Sequence, residues 1–280
     1  RRLRALVAPH IDFHRGGAGY GCAYAALRDH EPPEVVVLLG TGHAAEGGRF
    51  IATAKGFETP LGRLPVDRPI LGRLEAALGA GLFAGEAAHR REHSLELQAV
   101  WLAHLFKAAP PAIVPIVATS FDDLFEPGAG PLEEPSAGPF LRELRATLQM
   151  ERRRVLLLAG ADFAHVGPRF GDRAKLAAPF LAEVRARDAA ALAALVTGSA
   201  AGFLAAVAAH RNRDRICSVA SLFALLFAAD ANDGALLVYD QAVDPEGELA
   251  VTYASAALYG DCDDPRGLPP ARTPALERPE

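Results

Sequence analysis

Two histidines each follow a strongly apolar stretch of the chain. One apolar run ends at Ala8 and leads through a proline to His10, and the run Glu34–Gly40 leads to His43. Short apolar runs bounded by Pro or Gly are typical of buried strands that lead into loops, and open α/β sheets bind ligands at the carboxyl ends of such strands. Two neutral imidazoles placed in this way are suited to hold one divalent transition metal ion. Taken singly, each histidine is equally typical of a turn-capping or exposed position.

A carboxylate and an imidazole follow a third apolar run. Asp162 and His165 lie three residues apart, just after the strand predicted over Arg154–Ala159. An aspartate beside a histidine can orient the ring and raise its basicity, which suits general acid–base catalysis. The alternative is that Asp162 only caps the turn after the strand.

Cys217 lies between a basic run and a strongly apolar helix predicted over Ser218–Ala229. Thiolates are stabilised at helix N-termini and near arginines, so this cysteine is placed to be deprotonated or to bind metal. The alternative is a small core residue. We interpret Cys22 as a helix-packing residue and Cys262 as a tail residue. Three cysteines without C-x-x-C spacing favour a reducing compartment and no disulfide framework.

The segment from His89 to His93 has the pattern H-x-x-E-H. On one continuous helix, this pattern would place two histidines on one face for zinc, with Glu92 as the general base of a peptidase. The alternative is that His93 is the only functional residue of this motif, and that Ser94 and Glu96 fix it at the start of a helix.

The composition is that of a packed globular protein. Of 280 residues, 50% are hydrophobic and 22% are charged. The net charge of −5 argues against a nucleic-acid surface, and we interpret the arginines at 90–91 and 152–154 as solvated faces. No apolar run approaches the ~18–20 residues of a membrane helix. The charged start runs directly into the first predicted strand, so we expect no signal peptide and a cytoplasmic location.

Strands alternate with helices along the chain, which predicts an α/β fold with a mostly parallel sheet covered on both faces. The glycine-rich stretch Gly16–Gly21 is predicted to be a turn that leads into a helix over Cys22–Arg28. We expect one domain over residues 1–260. Residues 261–280 are rich in Asp, Pro, Arg and Gly, and we predict that they form a disordered tail.

Five short motifs resemble, in order and approximate spacing, those of the Memo-like family, whose bacterial members are called AmmeMemoRadiSam system protein B. They are Ala8-Pro9-His10, Gly40-Thr41-Gly42-His43, Glu92-His93-Ser94-Leu95-Glu96, Ala161-Asp162-Phe163-Ala164-His165 and Ile216-Cys217. The resemblance extends over about residues 5–259. It implies a three-layer α/β/α sandwich, similar in fold to the class III extradiol dioxygenases.

The resemblance also implies a mononuclear metal site. Its ligands would be His10, His43 and Cys217, and the acid–base or substrate-orienting residues in the same pocket would be His93, Asp162 and His165. The metal would be iron or copper, with zinc as a further candidate, and the activity that of a dioxygenase-like, metal-dependent oxidoreductase. The alternative is a non-catalytic scaffold that binds phosphopeptides or partners. Family association implies AMMECR1-like and radical SAM proteins as partners.

The chain departs from the family pattern around these residues. Ile11 and Asp12 follow His10 where the family often has Ala-Gly-Tyr, and Cys217 lacks the Gly and Pro that usually follow it. The substrate of the family therefore cannot be assigned to this chain, and Asp12 and His14 have no assigned role. A thiolate in place of the carboxylate of extradiol dioxygenases makes the site softer, which favours Cu(I), Zn or Fe and argues against ordinary ring cleavage.

Overall fold

The computed structural model describes residues 1–125, 130–261 and 267–271. Its strands are β1 (Arg2–Ala8), β2 (Val35–Thr41), β3 (Phe50–Ala52), β4 (Phe57–Thr59), β5 (Gly62–Leu64), β6 (Ala112–Ala118), β7 (Val155–Gly160), β8 (Asp162–Val166), β9 (Asp233–Val243) and β10 (Ala250–Gly260). Its α-helices are α1 (Phe13–Arg28), α2 (Arg68–Leu78), α3 (His93–Leu105), α4 (Ala137–Met150), α5 (Ala178–Val196), α6 (Ala200–Ala208) and α7 (Val219–Ala229).

The centre of the main sheet is a parallel block in the order β6-β2-β7-β1. Strands β3 and β10 extend this block on its two sides in antiparallel orientation. Consecutive residues of β2 enter opposite core clusters: Val37 packs with helices α2, α4 and α7, whereas Leu38 packs with α1 and α3. Side chains alternate between the faces of a strand, so both faces are apolar and both are covered. The predicted three-layer α/β/α sandwich is confirmed.

Strand β10 brings the ends of two other strands together. It pairs with β9 along its whole length, with β1 through its C-terminal half and with β8 through its N-terminal half. The end of β1 and the beginning of β8 therefore lie near each other along β10. Because β1, β2 and β7 are parallel neighbours, the segments that follow them meet at one edge of the sheet.

The predicted turn over Gly16–Gly21 is wrong, because this stretch lies inside α1. The helix begins at Phe13, where the Asp12 carboxylate accepts the backbone N–H of Arg15 at 3.1 Å and so caps the first turn. A Cβ atom on Gly19 would lie only 2.9 Å from the ring of Tyr253. The glycine is needed because it lets the helix backbone approach β10 closely.

Part of the predicted disordered tail is ordered. Leu268 is fully buried, and Leu3 and Leu268 exchange backbone hydrogen bonds of 2.8 and 2.9 Å. Burial of this side chain in the core beside α1 offsets the entropy lost on ordering the segment 267–271. Residues 262–266 and 272–280 of the tail, including Cys262, lie outside the described residues. Within the described ranges, no helix is both long enough and apolar enough to cross a membrane.

Candidate metal centre

Three predicted ligands meet at the carboxyl edge of the parallel strands. One ligand atom from each of His10, His43 and Cys217 lies within 4.8 Å of the other two. The Nε2 atom of His10 is 3.5 Å from the Sγ atom of Cys217. Two donor atoms that bind one ion at ~2.0–2.3 Å with a tetrahedral angle are about 3.5 Å apart. The residues present therefore fit a mononuclear ion bound by two nitrogens and one sulfur.

The backbone around the site orients His10. This residue follows β1, and its Nδ1 atom lies 2.9 Å from the carbonyl oxygen of Gly160, which accepts the ring proton. The backbone N–H of His10 donates to Asp162 Oδ1 at 2.9 Å. Because Nδ1 carries the proton, the lone pair of Nε2 is directed to the side of Cys217, as a metal-ligating imidazole requires.

Glu92 orients His43. Its carboxylate lies 3.0 Å from His43 Nδ1 and also accepts the backbone N–H groups of His43 and Ser94, each at 3.1 Å. A carboxylate on the second nitrogen of a ligating histidine fixes the tautomer and raises the basicity of the ring. With His93, these residues form a second group of potential ligands, but Glu92 already accepts three N–H groups. The sequence pattern singled out Glu92 and His93 but did not indicate that Glu92 orients His43.

Ser218 links the cysteine to two strands. Its Oγ atom is 3.4 Å from Cys217 Sγ and 3.0 Å from the hydroxyl oxygen of Thr41 at the end of β2, and it accepts the backbone N–H of Asp162 at 3.1 Å. This buried hydroxyl therefore holds the start of α7 against β2 and β8. No sequence pattern indicated it.

The protein groups by themselves favour a thiolate at this place. Burial tends to lower the pKa of His10, but Asp162 and Cys217 outweigh it and raise the pKa to about 10. Burial tends to raise the pKa of Cys217, but His10 and His43 hold this pKa well below its ordinary value. The thiolate is the form of cysteine that binds metal, and metal competes with protons for it and for the imidazoles.

His93 lies on the open side of the cluster. It is the first residue of α3, and its ring stacks on His43 with centroids 4.8 Å apart and meets His10 edge-on at 5.3 Å. Half of its side chain is exposed. Burial of the other half and the charges of His10 and His43 lower its pKa, so the ring is neutral at neutral pH.

Asp162 and His165 both lie on β8, and Asp162 contacts the predicted ligand His10. Asp162 Oδ2 is 3.5 Å from His10 Nε2 and is buried. Because Asp162 begins a strand, the alternative that it only caps a turn is wrong. His165 donates its Nδ1 proton to the carbonyl of Phe163 at 3.0 Å, and it is among the residues whose electrostatic effect lowers the pKa of Cys217.

The helical zinc-peptidase alternative is wrong. His89 belongs to a 3-10 helix over Glu86–Arg91, Glu92 is extended, and His93 begins α3, so the motif does not lie on one helix. The buried His89 ring donates from Nε2 to the carbonyl of Ile51 at 2.9 Å. The two histidines therefore do not share a face.

Comparisons with known proteins agree with these motifs. The family model described as Memo-like protein matches residues 1–257. A MEMO1 family protein of Thermus thermophilus is 34% identical over 224 residues, which cover 80% of this chain and 63% of that protein. A MEMO1 family protein of Aquifex aeolicus is 25% identical over 261 residues, covering 92% of this chain and 64% of the relative. The aligned region thus spans less than two thirds of each relative. The chain belongs to the Memo-like family.

Proposed function

We propose that the protein is a metal-dependent oxidoreductase that holds one iron or copper ion, with zinc as a further candidate, through His10, His43 and Cys217. The observation that carries the proposal is the convergence of two imidazoles on a cysteine whose pKa is lowered. Each Nδ1 atom has a hydrogen-bond acceptor, which leaves Nε2 for an ion. A thiolate with two imidazoles favours Cu(I), Zn and Fe among the common metals.

The donor set also supports a catalytic ion. Three protein ligands leave a coordination position open, whereas structural sites are closed by a fourth protein ligand. When bound, iron or copper supplies Lewis acidity and electron transfer at that open position. His43 and His93 are 36% and 50% exposed, so a substrate reaches the cluster from their side.

The surrounding residues provide proton transfer and orientation. The neutral ring of His93 can accept a proton near neutral pH, because its lowered pKa keeps it uncharged. Asp162 holds the backbone of His10 and contacts its ring, which keeps this ligand in place. His165 is further along the same strand and is available to orient a substrate.

Metal analysis of protein without an affinity tag tests the proposal. We expect nearly one iron or copper per chain in the wild type, and loss of the metal in Cys217→Ala and His43→Ala. His104→Ala is the matched control, because His104 is an exposed histidine in the last turn of α3 and should not change the metal content. Unchanged metal content in both ligand variants would contradict the proposal.

Turnover is tested separately from metal binding. Oxygen consumption by the metal-loaded protein that falls in His165→Ala supports an enzyme. A metal-loaded protein that consumes no oxygen, and whose binding of a peptide or partner survives His165→Ala, supports the non-catalytic scaffold instead.

A further inference from the structure

The loop before Cys217 has an unusual backbone. Arg211, Asn212 and Arg215 all have positive φ angles, of 49°, 46° and 56°. Residues other than glycine rarely adopt this left-handed region, although asparagine tolerates it better than most. Such a backbone persists only where surrounding contacts determine it. Contacts of this loop with its surroundings therefore hold it in this conformation.

The side-chain amide of Asn212 forms a closed set of hydrogen bonds around Ile216. Its Oδ1 atom accepts the backbone N–H of Ile216 at 2.8 Å, and its Nδ2 atom donates to the carbonyl of Ile216 at 3.0 Å. Nδ2 also donates to Asp122 Oδ1 at 2.7 Å. The carbonyl that Asn212 holds belongs to the peptide bond between Ile216 and Cys217. The buried amide therefore fixes the peptide group from which the cysteine side chain extends.

The same loop is attached to β8. The carbonyl of Asp214 accepts the backbone N–H of His165 at 2.7 Å, and the Nε atom of Arg215 donates to the carbonyl of His165 at 2.9 Å. These bonds hold the loop as a unit, but they do not reach the last peptide before Cys217. Only the amide of Asn212, among the side-chain contacts described above, acts on that peptide.

We propose that Asn212 is a positioning residue for the thiolate of Cys217. Its left-handed backbone and its amide together hold Sγ close to His10 Nε2, where one ion can bind both atoms. This inference rests on the proposed metal site. It extends the site to a residue that is five positions from the cysteine and contacts no ligand atom directly.

Binding of Co²⁺ as the probe metal tests the proposal, because a bond from sulfur to Co²⁺ gives a charge-transfer absorption that reports on Cys217. Cys217→Ser should lack this absorption, and its loss in this variant assigns the absorption to the thiolate of Cys217. Asn212→Gly keeps the left-handed backbone accessible and removes the amide. We expect the dissociation constant for Co²⁺ to rise about 10–100-fold, the usual effect of losing a residue that orients a ligand. Asn232→Gly is the matched control, because the side-chain amide of Asn232 donates to Asp261 at an exposed site. The affinity of this variant for Co²⁺ should equal that of the wild type.

A second measurement separates positioning from general stability. Amide hydrogen exchange at Ile216 in metal-free protein should become faster in Asn212→Gly, while exchange at Leu157 in the buried strand β7 stays unchanged. Faster exchange at Ile216 with unchanged Co²⁺ affinity would overturn the proposal and leave Asn212 a loop-stabilising residue. If Asn212→Gly fails to fold, Asn212→Asp replaces it, since it keeps the shape and loses both donors.

Failure of the metal site gives a different result. Wild-type protein without the thiolate absorption would refute the proposed function, and the positioning role with it. Wild-type absorption together with equal affinities in wild type, Asn212→Gly and Asn232→Gly would refute only the role of Asn212.

Discussion

Replacing Glu92 by glutamine should weaken metal binding without unfolding the protein. The change keeps the size of the side chain and removes the charge from a hydrogen bond to His43 Nδ1 of 3.0 Å. Hydrogen bonds to charged groups contribute about 1.5–3 kcal/mol. His43 is 36% exposed, so solvent screening places the expected loss near the lower end of this range. About 1.4 kcal/mol corresponds to a tenfold higher dissociation constant.

The effect should depend on pH. Burial tends to lower the pKa of His43, but the hydrogen bonds to Cys217 and Glu92 raise it to about 9. Protons therefore compete with an ion for the wild-type ring below about pH 9, and they compete less for the variant, whose pKa is lower. The difference in affinity should be largest near pH 9 and should shrink toward pH 7.

Competition titrations of Zn²⁺ against a chelator at both pH values measure this effect. Glu96→Gln is the matched control, because Glu96 is an exposed carboxylate in the same first turn of α3 and should leave the affinity unchanged. If Glu92→Gln binds Zn²⁺ as tightly as Glu96→Gln at pH 9, Glu92 does not support His43 as a ligand.

Three further substitutions test the fold that positions the site. Gln98→Ala removes a buried amide that donates to the Pro9 carbonyl and accepts the Tyr24 hydroxyl, both at 2.8 Å. The carbonyl loses this donor, and the hydroxyl keeps only a 3.4 Å contact with the backbone carbonyl of residue 98, so the free energy of unfolding in urea should fall by about 2–5 kcal/mol. A loss of less than half of this would show that water replaces the amide. Gly19→Ala should lower the free energy of unfolding by about 1–3 kcal/mol, because the added methyl group overpacks the contact with β10. Gly17 has open space around it, so Gly17→Ala should leave the stability unchanged or raise it. Equal melting temperatures of the two variants would contradict the close approach of α1 to β10. Leu268→Ala should lower the free energy of unfolding by about 2–5 kcal/mol in the same urea assay, because the leucine side chain is fully buried. An unchanged urea midpoint would show that the segment 267–271 does not contribute to the core.

Local patterns were sufficient for the main elements of the fold. The apolar run Glu34–Gly40 corresponds to β2 (Val35–Thr41), and α7 (Val219–Ala229) begins one residue after the start of the helix predicted over Ser218–Ala229. Both depend on the periodicity of neighbouring side chains, which the chain carries within a few residues. The glycine-rich stretch of α1 was predicted wrongly, because Gly19 makes a close contact with a strand more than 230 residues later in the chain, which no local pattern records.

The sequence by itself determined that His10, His43 and Cys217 follow or precede buried elements, and its motifs determined the family. Only the tertiary structure decided what orients these residues. Glu92 and His43 are 49 residues apart, and the contact from Thr41 to Ser218 spans 177 residues. Such pairs form because the order β2-β7-β1 and the packing of α3 and α7 place distant segments at one edge of the sheet. No periodicity within a short window records that order, since it depends on the register between strands and on the faces that the helices cover.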